Sequence, residues 1–243
     1  MMLYETFHFP GIDSTNSWAM SNTHLFPRDK IILVYAKKQS DGRGRHKNKW
    51  QSPDTNNLYA TFGVFVPTQQ GVQPNLPQLI ALAAVAVMEK MGVETRIKWP
   101  NDLLINQRKV AGILTETSID EEHIFHAIGI GVNLNLPPEC LKEIERPATS
   151  LSVELEKEVD LEEFLDQLKE TFSRFLSTFL EEGFTPFLPA FKAKLNHKEN
   201  QELSFHERDH QWNGKFHSIN DDGTLNLKLD TGEVKRFLAG EVQ

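Results

Sequence analysis

The chain has 243 residues, enough for one large domain or for one large and one small. It carries 34 Asp or Glu against 26 Lys or Arg, a net charge of -8, and such an acidic body argues against general nucleic-acid binding, where a basic face normally dominates. The single cysteine, Cys140, excludes an intrachain disulfide framework and a cysteine-based metal site, and the apolar run Leu79–Met88 is too short to cross a bilayer.

The opening stretch MMLYETFHFPGIDSTN has neither a charged leader nor an apolar h-region, so a cytoplasmic location is expected. Ser14 and Thr15, just ahead of NSWAM, suit the N-cap of a helix. IILVYA (31–36) is apolar and rich in β-branched residues, and it predicts a buried strand. That strand feeds straight into KKQSDGRGRHKNKW (37–50). Six Lys or Arg against one Asp give this stretch +5 and leave -13 for the rest of the chain. A basic loop on an acidic body draws one small anion to one place, and its plainer reading is a solvated surface.

NLYATFGVFV (57–66) predicts a second strand. PNLPQLIALAAVAVMEKMG predicts a helix starting near Asn75 and stopping at Gly92, apolar nearly all round and so buried against a sheet. ETRIKW, KVAGILTETS and HIFHAIGIGVNLN predict strands, with a hairpin at Asn106-Gln107. Asp160 and Glu163 form a capping-box pattern that opens a helix running to Gly183. Its stripe of Leu161, Phe164, Leu165, Leu168, Phe172, Phe175 and Phe179 is core rather than a cofactor box. A shorter helix spans roughly Pro186 to Leu195. From about Glu199 the helical period disappears, turns are signalled at Asp222-Gly223 and Thr231-Gly232, and Leu225, Leu227 and Leu229 alternate with polar residues. The fold class is α+β: a mixed or antiparallel sheet with helices over residues 1–196, then a small SH3-like β-barrel over 197–243.

Five stretches carry chemistry-bearing side chains: Asp13–Asn16, the basic loop, KWPNDLL (98–104), RKVAGIL (108–114) and GIGVNLN (129–135). Singly, each has a plain reading as a cap, a turn or a strand. Trp99 and Pro100 read as core packing and a strand end. Gly129 and Gly131 fit either close backbone approach to a ligand or a strand at a dimer edge. The nine histidines, His46, His123 and His126 among them, show no metal-ligand spacing.

Taken in order, the five stretches resemble the biotin protein ligases, which attach biotin to the carrier domains of biotin-dependent carboxylases. The resemblance runs from about residue 11 to the C-terminus. The family pattern GRGRxGRxW is matched at Gly42, Arg43, Gly44, Arg45 and Trp50, with Lys47-Asn48 in place of its second Gly-Arg pair. The ending AGEV (239–242) fits the family's SH3-like domain. No helix-turn-helix segment precedes Ser14, so the chain resembles the short, monofunctional class without a DNA-binding domain.

The resemblance implies a two-step reaction. The biotin carboxylate attacks the α-phosphate of ATP to give biotinyl-5′-adenylate and pyrophosphate, and a lysine amine of a biotin carboxyl carrier protein then attacks that anhydride. Two anions must meet, so fixed cations and Mg²⁺ supplied with ATP offset their charge. By family match, biotin contacts fall on Ser14, Thr15, Asn16, Gln39, Arg43, Gly44, Arg45, Lys109, Gly112 and Gly131. Adenylate contacts fall on Arg43, Arg45, Trp50, Lys98, Lys109 and Asn133. Arg43, Lys98, Lys109 and Asp102 are the catalytic candidates. Arg43 and Arg45 would offer forked donors to carboxylate and phosphate, and Trp50 would face adenine or wall the pocket. Asp102 has three readings: orienting Lys98, helping to hold Mg²⁺, or assisting removal of the acceptor lysine's proton. No protein metal ligand is assigned, and neither nucleic acid nor membrane is an expected partner; a homodimer stays open. The rival readings are a lipoate–protein ligase, disfavoured because DSTN and Gln39 suit a ureido ring, and a non-catalytic nucleic-acid or peptide adaptor.

Overall fold

The apolar, β-branched runs become strands of one seven-stranded sheet. A computed structural model describes residues 2–45, 48–207, 210–238 and 240–242. The sheet contains β1 (Tyr4–Phe9), β2 (Ile31–Ala36), β3 (Leu58–Pro67), β4 (Arg96–Lys98), β5 (Asp102–Ile105), β6 (Arg108–Ile119) and β7 (His123–Val132), in the order β1-β2-β3-β7-β6-β5-β4. Only β1 and β2 pair in parallel; the other neighbours are antiparallel. β1 is an addition to the sequence reading, which used YETFHF only to exclude a leader.

The strand period of two gives the sheet two unlike faces. Ile128, Ile130 and Val132 of β7 enter a large apolar core with helices α2 (Leu76–Lys90) and α5 (Leu161–Glu182). Phe125 and Ala127 enter a smaller cluster with Ala19 of helix α1 (Thr15–Ser21) and with Phe26. α2 is buried on nearly every side, as its all-round apolar sequence requires, and Pro77 sits in its first turn, where no backbone donor is lost. α5 buries one stripe, including Phe164, Leu168, Phe172 and Phe179. Asp160 caps α5 by accepting from the Glu163 amide at 2.9 Å. Two five-residue helices, α3 (Pro138–Lys142) and α4 (Leu151–Leu155), were not read from the sequence; α6 (Leu188–Lys194) was. Asn106 and Gln107 turn β5 into β6 with φ of 49° and 63°, as the hairpin reading requires.

One expectation is corrected. β7 lies between β3 and β6, so Gly129 and Gly131 occupy a central strand and cannot form a dimer edge.

The C-terminal segment forms a five-stranded antiparallel sheet of β8 (Glu202–Glu207), β9 (His210–Ile219), β10 (Leu225–Leu229), β11 (Val234–Phe237) and β12 (Glu241–Val242), in the order β11-β10-β9-β8-β12. Among the described residues its end strands do not pair, so a closed barrel is not formed by hydrogen bonds. Its apolar residues, Leu203, Phe205, Phe216 and Leu225 among them, continue the large core of the main sheet. The Asp222-Gly223 turn is gripped by three donors. Asn75 Nδ2 reaches the Asp222 carbonyl at 2.8 Å, while Gln78 Nε2 and Trp99 Nε1 reach the Gly223 carbonyl at 2.8 and 3.0 Å. Gly223 has φ of 74°, and a β-carbon there would collide with the Gln78 amide, so both conformation and space call for glycine. The small sheet is thereby fixed beside the ends of β4 and β5.

Candidate active site

On the α1 face of the sheet, β6 and β7 bring Gly112, Gly129 and Gly131 side by side, and the missing side chains make a floor. Asn16 lies against Gly129, and the Trp50 indole lies across Gly131, where a β-carbon would be 2.5 Å from the ring. Gly112 meets the same indole and the Lys109 side chain. The glycines therefore permit the close approach of Asn16 and Trp50 to the strand backbone.

One wall is the start of α1. The Ser14 hydroxyl caps the helix, accepting from the Ser17 amide at 3.4 Å, so its plain reading holds. Thr15 and Asn16 are buried in the first turn and face a polar network. Gln39 Oε1 accepts from the Thr15 amide at 2.9 Å and lies 3.2 Å from the Thr15 hydroxyl, while Gln39 Nε2 donates to Ser52 Oγ at 3.0 Å. Thr61 Oγ1 is 2.6 Å from Asn16 Oδ1 and 2.9 Å from Thr15 Oγ1. Asn16 Nδ2 donates to the Leu114 carbonyl and to Glu116 Oε2, both at 3.1 Å. A buried network this complete holds its side chains in fixed orientations.

The basic loop closes across the floor as a strap. The Ser40 and Asp41 amides donate to the Ile12 and Asp13 carbonyls, Arg43 bridges Lys49, and the Trp50 amide donates to the Gly42 carbonyl at 2.8 Å. The strap's two arginines go to opposite sides. Arg43 donates to Glu116 Oε1 at 2.5 Å and to Ser17 Oγ at 3.0 Å. Arg45 donates to Asn101 Oδ1 at 3.2 Å and to the Gly240 carbonyl at 2.9 Å, tying the strap to the C-terminal sheet. His46 and Lys47, where the departure from GRGRxGRxW begins, lie outside the described residues; Asn48 accepts from the Gly44 amide at 2.7 Å.

All fourteen residues singled out from the sequence line one of two adjoining cavities. The inner one, about 60 Å³, is bounded by Ser14, Thr15, Asn16, Gln39, Arg43, Gly44, Arg45, Trp50, Lys109, Gly112 and Gly131. The outer one, about 630 Å³, adds Lys98, Asp102 and Asn133, together with residues 143–148 and Val242. Arg45, Trp50 and Lys109 belong to both. The Lys109 ammonium sits 5.2 Å from the centre of the Trp50 ring and pairs with Asp102 Oδ1 at 2.7 Å. One oxygen of the Asp102 carboxylate is engaged by Lys109, and Lys98 stands opposite Asp102 across the β4–β5 pair. Lys98 also lies beside His197, whose pKa falls to about 4, first through burial and then through the Lys98 charge. Asn133 is nearly fully buried, and its side-chain amide braces the Thr149 carbonyl at 3.0 Å.

The sequence reading missed Glu116, Ser17, Thr61, Asn101 and the Gly240 carbonyl. Glu116 was within reach: it follows Gly112 and Leu114 at intervals of two in a predicted strand, and so shares their face. Nothing local marks the Arg45–Gly240 contact, which joins residues 195 positions apart.

Comparison with known proteins gives a consistent picture. A model of the Biotin/lipoate A/B protein ligase family matches residues 9–135. The biotin--[acetyl-CoA-carboxylase] ligase of Paracoccus denitrificans is 33% identical over 229 residues, covering 90% of this chain and 92% of that one. The bifunctional ligase/repressor BirA of Bacillus subtilis is 32% identical over 87% of this chain, which spans 65% of that relative's length. The biotin protein ligase of Aquifex aeolicus, solved in complex with biotin and ATP, superposes with a TM-score of 0.80 over 98% of this chain and 97% of that one. At 24% identity that likeness concerns the fold.

Proposed function

The chain belongs to the biotin/lipoate A/B protein ligase family, and from that premise we propose that it activates biotin with ATP and transfers it to a lysine of a carboxyl carrier protein. The observation that carries this reading is the pair of adjoining cavities with Arg45, Trp50 and Lys109 at their boundary. The inner cavity takes the ureido ring. Thr15, Asn16, Gln39 and Ser14 offer it both donors and acceptors, which a neutral urea needs. The outer cavity takes the nucleotide, with Trp50 against the base and Lys98 near the phosphates. The biotin carboxylate and the α-phosphate then meet beside Arg45 and Lys109, whose charges offset their repulsion. Carboxylate attack releases pyrophosphate; the carrier lysine then attacks the anhydride carbonyl and AMP leaves.

Asp102 acts as the orienting partner of Lys109. Asn133 lines the outer cavity and is held in place by its bond to the Thr149 carbonyl. Mg²⁺ fits this site as an ATP complex: with phosphates it needs only one or two carboxylates, and Asp102 lines the outer cavity. An inner cavity of about 60 Å³ is smaller than the roughly 300 Å³ typical of a small-molecule site, so the strap and Trp50 move aside for biotin and close again over the adenylate.

Residues 1–196 form the catalytic unit in this reading and 197–243 a smaller unit that supports the strap. Among the described residues no helix is long and apolar enough to cross a membrane, and a cytoplasmic location accompanies the proposal. Pyrophosphate release with biotin or lipoate as the acid tests it. Faster release with biotin supports the reading, and faster release with lipoate overturns the choice of substrate.

A further inference from the structure

The Glu116 carboxylate has two oxygens and uses them on different parts of the site. Oε2 accepts from Asn16 Nδ2 at 3.1 Å, and Oε1 accepts from Arg43 Nη2 at 2.5 Å. Asn16 is buried against Gly129 and fixed by Thr61, so it belongs to the rigid wall. Arg43 belongs to the strap and is otherwise held through Ser17 of the same wall. The Glu116 side chain is only 25% exposed, on the strand that supplies the floor. The Arg43 side chain is 40% exposed, so the strength of the pair rests on its charge-assisted bond and on the second Arg43 bond to Ser17 rather than on burial. A charged pair with one partner on a sheet and the other on a loop is a tether.

We propose that Glu116 is a positioning residue that fastens the strap to the Asn16 wall through Arg43, so that the state of the biotin wall is transmitted to the lid. This deepens the ligase reading and rests on it. Arg43 acts first as the strap's anchor. Arg45, two residues on and tied toward Asn101 and Gly240, anchors the opposite side. Losing the Glu116 anchor loosens one side of the lid and leaves the other in place. The intermediate is then exposed to water sooner, although it is still made.

The full-length chain tests this with a lysine-specific protease, which leaves Arg43 and Glu116 uncut. Cleavage after Lys49 reports the strap, and cleavage after Lys169, within α5, reports general unfolding. Glu116→Gln and Arg43→Gln should each speed cleavage after Lys49 about tenfold, the factor that corresponds to a charge-assisted contact, with cleavage after Lys169 unchanged. The double variant should be no faster than either single one, because both remove one tether. With biotin and ATP, Glu116→Gln should shorten the lifetime of bound adenylate by a larger factor than it slows adenylate formation.

Cleavage after Lys49 at the wild-type rate in both variants, or multiplying effects in the double variant, overturns the tether. If Glu116→Gln also raises cleavage after Lys169, Arg43→Gln on the surface strap decides alone. A wild-type chain that releases no pyrophosphate with biotin overturns the ligase reading instead and leaves the cleavage result standing.

Discussion

The two faces of the main sheet are made from the same strands by opposite means. On one face β7 presents Ile128, Ile130 and Val132 to α2 and α5, and the space is filled by apolar volume. On the other it presents Gly129 and Gly131, and the space is left open for Asn16 and Trp50. A filled face resists substitution because removal leaves a cavity. An open face resists it because addition displaces a functional group. Stability and activity should therefore separate along a single strand, residue by residue.

Substitutions along β7 break the comparison most sharply. Gly131→Ala puts a methyl group against the Trp50 indole, and adenylate formation should fall at least about a hundredfold with little change in thermal stability. Ile128→Ala, on the filled face of the same strand, should do the reverse. It should lower stability by roughly 2–5 kcal/mol in urea unfolding and leave the rate per folded molecule within about twofold. A Gly131 variant that melts early but turns over normally would reverse the assignment of the two faces.

The next effect is electrostatic. Lys109→Ala removes one of the two cations shared by both cavities and leaves Asp102 without this ion pair. Single-turnover adenylate formation should fall at least about tenfold, because one charge-assisted contact is worth roughly 1.5–3 kcal/mol. An unchanged rate would remove Lys109 from the site.

The smallest effect belongs to the filled face. His126 of β7 is fully buried there, and burial lowers its pKa to about 4. In the unfolded chain it titrates near 6.5, so between pH 6.5 and 4 the unfolded state binds the extra proton. Stability is therefore fully present above about pH 6.5 and is lost as the pH falls toward 4, by on the order of 2 kcal/mol from this group. His197, lowered in the same way, adds to the slope. Urea midpoints measured from pH 7 to 4.5 should fall, and His126→Gln should flatten the decline; an equally steep decline in the variant would exclude His126 as a source.

The two faces also differed in how readable they were. The filled face announces itself through periodicity: the all-round apolar α2 and the aromatic stripe of α5 were both recovered. β1, α3 and α4 were not, because each is short and carries a mixed pattern that tertiary pairing alone decides. The open face was readable only through motifs in order, and all fourteen residues chosen that way line the two cavities. What the motifs conceal is which side chains hold each other. Arg43 read as a ligand contact through its match to the family motif. Its partner Glu116 stands 73 residues away in β6, where alternation gives its face but not its partner. Asp102 carried three readings in the sequence, none of which named Lys109; the β4–β5 register sets Lys98 opposite it, and the Lys109 ammonium reaches it from β6.

The central claim is that the polar wall of Thr15, Asn16 and Gln39 makes the inner cavity a ureido site. Isothermal titration of the full chain with biotin, and separately with lipoate, tests it most directly. The account predicts saturable binding of one biotin per chain, at least about a hundredfold tighter than lipoate, because a dithiolane offers this polar wall none of the hydrogen bonds that a ureido ring does. Lipoate binding as tight as biotin, or no binding of biotin, would contradict it.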